Sequence, residues 1–278
     1  MRIDAVLGEA VERLAAVSDS ARLDAEILLC RTIDMPRSYL FAHPEDVLDS
    51  TTFDRFDGLL RRRIKGEPLA YIMGSKEFWS HELLVSSATL VPRPETELLV
   101  DLALQVIPRE AEWQVLDLGT GSGAIAIALA SERLMCEVTA VDISESALAI
   151  AAENARQLAL SNIAFVHGSW VEPVRCRLFD VIVSNPPYVR AGDEALANLQ
   201  YEPKDALVAG VDGLNAIRVL ASGCRQVLKQ SGLLFIEHGA DQRDDVAALL
   251  AASGWTNITN HADFSGLPRV TAARRGGT

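Results

Sequence analysis

Paired metal ligands, a basic excess and long apolar runs are all missing from this 278-residue chain. Its four cysteines, Cys30, Cys136, Cys176 and Cys224, are scattered, and no two have metal-ligand spacing. The five histidines, His43, His81, His167, His238 and His261, show no paired spacing either, so no metal is expected. The cysteines read as reduced, mostly buried small hydrophobes of a cytoplasmic protein. No stretch approaches the run of roughly 20 apolar residues that spans a bilayer. Met1 to Leu14 carries charges throughout, so neither a secretory nor a membrane segment is expected there. Basic residues are outnumbered, 26 Lys and Arg against 38 Asp and Glu, for a formal net charge of −12. A protein built to grip nucleic acid carries a basic excess or a dense basic stripe. The one local basic run, Arg61 to Lys65, reads as a solvated helix face. No direct nucleic-acid substrate is therefore expected, and the acidic balance suits a cationic protein partner.

What is present is enough to bury a core. Hydrophobic residues make up 49% of the chain, and its length suits one large domain or an ordinary domain with a small companion. The N-terminal part is helical in pattern. Ile3, Val6, Leu7, Val11 and Leu14 recur at three- and four-residue steps. Ser18 and Ser20 are candidate caps for a second helix carrying Leu23, Ile27 and Leu28. Asp49 or Ser50 can start a third, with Phe53, Phe56, Leu59 and Leu60. A segment from Ala70 to Val85 mixes aromatic and β-branched residues and reads as a β-hairpin turning at Gly74-Ser75. Phe78 and Trp79 are expected to pack it onto a neighbour. Pro92-Arg93-Pro94 breaks the chain, and Glu95-Thr96-Glu97 opens a helix with acidic residues in its first turn.

From Trp113 the grammar changes to strands alternating with helices. W-Q-V-L-D-L, E-V-T-A-V-D, I-A-F-V-H, F-D-V-I-V and G-L-L-F-I-E-H are the strands, and a helix from Gln242 closes the pattern. Alternating βα units imply an α/β fold with a doubly wound, mostly parallel Rossmann-like sheet. The expected organisation is a helical domain over 1–66, a β-hairpin linker over 67–94 and an α/β domain over 95–278. Arg274 to Thr278 reads as a frayed tail.

Two motifs carry the chemistry. The first is V-L-D-L-G-T-G-S-G-A, in which Gly119, Gly121 and Gly123 lie between a strand and a helix. Glycines there permit a tight turn and a close ligand approach. A second strand ends at Asp142, nineteen residues past Gly123, where a carboxylate can accept hydrogen bonds from ribose hydroxyls. Gly119, Gly121 and Ala124 also fit the dinucleotide pattern G-x-G-x-x-A, which keeps a nicotinamide-dependent dehydrogenase as a rival. Against it stands Asp117, an acidic residue where a dinucleotide fold wants an apolar one. An acid there suits a ligand that carries positive charge, such as S-adenosylmethionine.

The second motif is S-N-P-P-Y, Ser184 to Tyr188, at the end of the fourth strand and so on the same sheet edge as the glycine loop. Pro fixes its own φ and pushes Asn185 toward an extended conformation. The Asn185 side-chain oxygen and the Pro186 carbonyl can accept hydrogen bonds from a planar amide or exocyclic amine, and Tyr188 can stack on it. Methyl transfer to such a nitrogen depends on proximity and orientation. Adenine in nucleic acid is a possible substrate of the same device, and a binding protein without catalysis is the reading from another class.

These motifs, together with R-L-D-A-E (Arg22 to Glu26), G-E-P-L-A-Y-I-M-G (Gly66 to Gly74), P-R-P-E-T-E (Pro92 to Glu97), G-S-W (Gly168 to Trp170) and Y-E-P (Tyr201 to Pro203), give the chain its family likeness. It resembles the HemK/PrmC family, the peptide chain release factor glutamine methyltransferases, over residues of about 20 to about 240. A paralogous family that methylates a ribosomal-protein glutamine shares the architecture. The resemblance implies S-adenosylmethionine as cofactor. Asp117, Gly119, Thr120, Gly121, Ser122, Gly123, Asp142, Trp170 and Asn185 would bind it, with Trp170 near the adenine. It implies Asn185, Pro186, Pro187 and Tyr188 as substrate-binding residues, with Asn185, Pro186 and Tyr188 catalytic. The implied substrate is the glutamine of the G-G-Q loop in bacterial class 1 release factors, with the N-terminal helices contacting the release factor body.

Overall fold

The computed structural model describes residues 1–276 and divides into two compact units, Met1–Ser75 and the chain from Lys76 onward. The first unit holds α1 (Ile3–Leu14), α2 (Ala21–Ile33), α3 (Arg37–Ala42), α4 (Ser50–Ile64) and α5 (Leu69–Met73). Its core gathers Ile3, Val6, Leu7, Leu14, Leu28, Leu29, Phe56, Leu60 and Ile72. Helices α1 and α4 follow their apolar periodicity, whereas in α2 Leu28 is buried as expected but Leu23 is exposed, and the buried face is completed by Asp24, Ala25, Glu26 and Leu29. The two short ones, of six and five residues, are too brief to show any. Asp49 caps α4 by accepting from the Thr52 N–H at 2.8 Å. The serines before α2 do something else. Ser20 occupies the capping position without accepting a backbone N–H. The Ser18 and Ser20 hydroxyls instead donate to the buried carboxylate of Asp24, at 2.8 and 3.0 Å.

The hairpin is shifted from its expected place. Leu69–Met73 forms a helical turn that Gly74 ends in the left-handed region at φ 80°. The strands are β1 (Ser75–Phe78) and β2 (His81–Leu84), and Trp79 and Ser80 make the turn, both at positive φ. Such a two-residue turn matches the strand twist. Phe78 is buried in the core of the second unit, and the Trp79 N–H donates to Glu97 Oε1 at 3.0 Å.

The α/β body contains α6 (Glu97–Val106), β3 (Gln114–Leu118), α7 (Ala124–Glu132), β4 (Glu137–Asp142), α8 (Glu145–Gln157), β5 (Ile163–His167), β6 (Phe179–Ser184), α9 (Asn215–Val227), β7 (Leu228–Glu237), α10 (Arg243–Ala252), β8 (Trp255–Ala262) and β9 (Pro268–Arg275). The strands form one sheet in the order β5-β4-β3-β6-β7-β9-β8. The first five are parallel, and β9 runs antiparallel between β7 and β8. Side chains alternate between two cores, as a sheet covered on both faces requires. Val115, Val181, Val183 and Phe235 join α6 and α7 on one face. Leu116, Leu118, Ile182, Leu234 and Ile236 join α9 and α10 on the other.

The closing pair β8 and β9 was not expected. T-N-I-T-N-H is polar because β8 is an edge strand: Thr256, Asn257, Thr259 and Asn260 are exposed, while Ile258 packs against the core. The tail expectation is corrected in part. Arg274 pairs with Leu233 and Thr256, and Arg275 with Trp255, so both belong to β9. The last two residues of that reading lie outside the described residues. No described helix is long and apolar enough to cross a membrane.

Candidate active site

The sheet order places the site. Strands β3, β4 and β5 step outward on one side, and β6 starts the other side against β3. The order reverses between β3 and β6, and a crevice opens beyond their carboxyl ends. Leu118 is paired with Ser184 there, and the Ser184 hydroxyl donates to the Leu118 carbonyl at 2.7 Å. The glycine loop and the N-P-P-Y segment therefore leave the sheet side by side.

Gly119, Gly121 and Gly123 all adopt positive φ, 75°, 56° and 83°. That is the conformation glycine permits without a Cβ penalty. Gly123 has a second constraint: a Cβ there would sit 3.0 Å from that of Ala151, where α7 and α8 pass closely. Asp142 braces the loop from the end of β4. Its carboxylate accepts from the Gly121 N–H at 2.8 Å and from the Ser144 N–H at 2.9 Å.

A cavity of about 620 Å3 lies over the loop. Of the residues singled out in the sequence, Gly119, Thr120, Gly121, Ser122, Asp142, Trp170, Asn185 and Pro187 line it. Trp170 forms a wall within van der Waals reach of where a Gly119 Cβ would stand. Asp117, Gly123, Pro186 and Tyr188 are not on the lining. Asp117 is fully buried beneath the loop, where Thr120 Oγ1 donates to its Oδ2 at 2.6 Å. Burial pushes its carboxyl up to about 7.

The N-P-P-Y segment is held from several directions. Asn185 Nδ2 donates to Thr96 Oγ1 at 3.1 Å. The Tyr188 carbonyl accepts from Gln242 Nε2 at 3.0 Å, and its phenol donates to Glu237 Oε1 at 3.4 Å. Val189 exchanges backbone hydrogen bonds with Leu207 and Ala209. Glu237 ends β7, is 1% exposed, and is pushed up to about 7 by burial, against the opposing Arg269 charge.

Thr96, Glu237 and Gln242 were not singled out in the sequence as site residues. Each acts through a tertiary contact that no local spacing encodes. Arg93 ties the linker down: it pairs with the buried Glu202, whose Oε2 also accepts from the Val91 N–H at 3.0 Å.

Comparison with known proteins agrees with this architecture. Residues 5–74 match the PrmC N-terminal domain, and residues 109–262 match a methyltransferase domain. The release factor glutamine methyltransferase of Coxiella burnetii is 44% identical over 95% of this chain and 96% of that protein. The protein of the same name from Vibrio cholerae is 45% identical over 97% of this chain and 95% of that one. A methyltransferase structure from Pyrococcus furiosus superposes with a TM-score of 0.55 at 18% identity, over 80% of this chain and all of that one, and shows the shared fold. With two near-full-length relatives at this identity and the glycine loop and N-P-P-Y segment on one sheet edge, the chain belongs to the release factor glutamine methyltransferase family.

Proposed function

We propose that this chain transfers a methyl group from S-adenosylmethionine to the side-chain amide nitrogen of the glutamine in the G-G-Q motif of class 1 release factors, in the cytoplasm. The observation that carries the reading is the presence of Asn185 on the wall of the same cavity that the glycine loop floors. S-adenosylmethionine, when bound, supplies an electrophilic methyl on a positively charged sulfur.

The residues present fit that cofactor. Asp117 Oδ1 is buried without a hydrogen-bond partner beneath the loop, and a cation bound above the loop would favour its charged form. Asp142 and Trp170 line the cavity as a ribose acceptor and an adenine wall would.

An amide nitrogen is a weak nucleophile, because its lone pair is delocalised into the carbonyl. The chain's contribution is orientation. Asn185 Oδ1 and the Pro186 carbonyl accept the two N–H groups of the substrate amide and present the nitrogen to the cavity. Pro186 and Pro187 fix their own φ and stiffen the segment that carries those acceptors, so little reorganisation accompanies the reaction. Tyr188 serves from behind, its neutral phenol committed to Glu237.

The test is a label-transfer assay with radioactive S-adenosylmethionine. A release factor, its G-G-Q Gln→Ala variant, a ribosomal extract and DNA are offered in parallel. Label on the release factor that is lost in the Gln→Ala variant is the expected result. Label only on a ribosomal protein or on nucleic acid would overturn the substrate assignment.

A further inference from the structure

We propose that Gln242 and Gly213 form a positioning clamp on the Tyr188 carbonyl that holds the N-P-P-Y acceptors in place, an inference that deepens the function proposed above and rests on it. The segment needs a clamp because it cannot hold itself. Pro186 and Pro187 have no N–H, so no backbone ladder can run along them. Their fixed φ angles make the stretch a stiff strut, and a strut is placed by its ends. At the near end, Ser184 is the last residue of β6, and its hydroxyl donates to the Leu118 carbonyl at 2.7 Å. At the far end stands the Tyr188 carbonyl, to which Gln242 Nε2 donates at 3.0 Å.

Gln242 is 2% exposed, and its hydrogen-bond partners are backbone groups of fixed polarity. Its Oε1 accepts from the Gly239 N–H at 2.9 Å. Its Nε2 also donates to the Gly213 carbonyl at 3.3 Å, with the Asp212 carbonyl at 3.5 Å beside it. A carboxamide has two N–H donors, and these backbone oxygens take both. Turned by 180°, the side chain would set an acceptor against carbonyls and a donor against an N–H, so the backbone alone decides its orientation. The residue also departs from its local role. It occupies the N-cap position of α10, where a side-chain oxygen ordinarily accepts from the first N–H groups of the helix, yet it makes no such bond. The side chain reaches instead to three loops: the exit of β6, the turn before α9 and the exit of β7.

Gly213 closes the clamp from the other side. It sits at φ 73°, and a Cβ there would stand 2.4 Å from the Tyr188 oxygen and 2.7 Å from Gln242 Nε2. Any side chain would fill the space of the hydrogen bond itself. Gly210, in the same loop, gives the contrast. It too has a positive φ, 83°, but a Cβ there would strike the Asn215 side chain and not Tyr188. Beyond Tyr188 the chain is pinned by different means, since Val189 pairs with Leu207 and Ala209 through the backbone. Asn185 and the Pro186 carbonyl thus lie between two fixed points, Ser184 and Tyr188, and the prolines between them transmit any shift of the far end.

The experiment compares wild type, Gln242→Met, Gly213→Ala, Gly210→Ala and the Gln242→Met/Gly213→Ala double variant. For each, kcat and KM for release factor methylation, the dissociation constant for S-adenosylmethionine and the thermal midpoint are measured. Rates are taken per folded molecule, below the lowest midpoint. Met keeps the length of Gln and removes both its donor and its acceptor. Gln242→Met should lower kcat by about tenfold or more, toward the roughly 100-fold that a misplacement of about 1 Å can cost, while cofactor affinity and the KM for the release factor stay near wild type. Gly213→Ala should do the same with Gln242 intact. Gly210→Ala carries the same kind of backbone strain, so it should lower the midpoint and leave kcat near wild type. The double variant should be no worse than the worse single one, since both changes act on one carbonyl. Wild-type kcat in Gln242→Met or Gly213→Ala, cofactor affinity lost in step with kcat, additive losses, or an equal kcat loss in Gly210→Ala would each overturn the clamp. If Gln242→Met does not fold, Gly213→Ala against Gly210→Ala still decides. Failure of wild type to label the release factor would overturn the function itself, which is a different outcome.

Discussion

Both units of this protein bury carboxylates, but those beside the candidate site in the α/β unit are treated differently from those that hold the helical unit together. In the helical unit, Asp24 accepts from Ser18, Ser20 and Arg63, and Glu26 accepts from Arg22 and Arg37. Burial pushes Glu26 up, yet the hydrogen bonds from Arg22 and Arg37 outweigh it and hold its carboxyl below the usual range. In the α/β unit, Asp117 and Glu237 each keep one buried oxygen without a partner, and burial pushes both to about 7. Satisfied carboxylates hold a fold together; unsatisfied ones are tolerated where a ligand or a reaction uses them. Partner accounting, rather than burial, separates the two kinds.

The largest expected effect lies at Asn185, on the cavity wall beside the glycine loop. Asn185→Ala should cut methyl transfer by about 100-fold or more, with the fold intact and cofactor binding largely retained. Turnover near wild type would remove the role assigned to the N-P-P-Y segment. In the helical unit, Glu26→Ala should lower stability by about 2 kcal/mol, after allowing for the solvent exposure of both guanidiniums. Denaturant melts would show it, while kcat per folded molecule should not change. An Asp117→Asn variant should do the reverse. It should weaken S-adenosylmethionine binding by about tenfold, roughly 1.4 kcal/mol, and leave the melting midpoint no lower than wild type. A drop in midpoint with normal binding would mean that Asp117 belongs with Asp24 and Glu26.

The smallest effect is in the pH dependence of stability. Asp117 and Glu237 have folded-state pKa values raised above their unfolded ones. Between about pH 4 and 7 the folded chain therefore binds more protons than the unfolded chain, and these two groups make stability fall as pH rises through that window. Glu26 is lowered, so its contribution is present above its unfolded pKa and is lost as pH falls through the folded value. Titrating the Asp117→Asn/Glu237→Gln double variant against wild type isolates the first pair. A difference curve that is flat from pH 4 to 7 would contradict the raised values.

The part of this site that the sequence discloses is the part built locally. The strands β3 to β6 announce themselves by dense apolar runs, and the glycine loop by turn residues that follow one of them. Topology then forces N-P-P-Y and the loop to one edge. Thr96, Glu237 and Gln242 were beyond such reasoning. Each is an ordinary polar residue until the sheet brings it against Asn185 or Tyr188. The same limit hid β8 and β9. Their pairing with β7 is tertiary, and the polar face of an edge strand looks like loop in one dimension. Gly74 misled in the other direction, because a glycine that ends a helical turn and one that turns a hairpin are the same letter.

The adjacency of β3 and β6 also sets an order in time. Strands β3, β4 and β5 are consecutive in the chain and neighbours in space, so the glycine loop and Asp142 need nothing beyond them. Asn185 arrives only when the chain crosses back to the opposite flank of β3. Glu237 comes later, and Arg269 later still on β9. A chain emerging from the ribosome N-terminus first thus presents the glycine loop before the N-P-P-Y segment that completes the cavity beside it. An enzyme for the machinery that ends translation becomes competent only when its own translation is nearly complete.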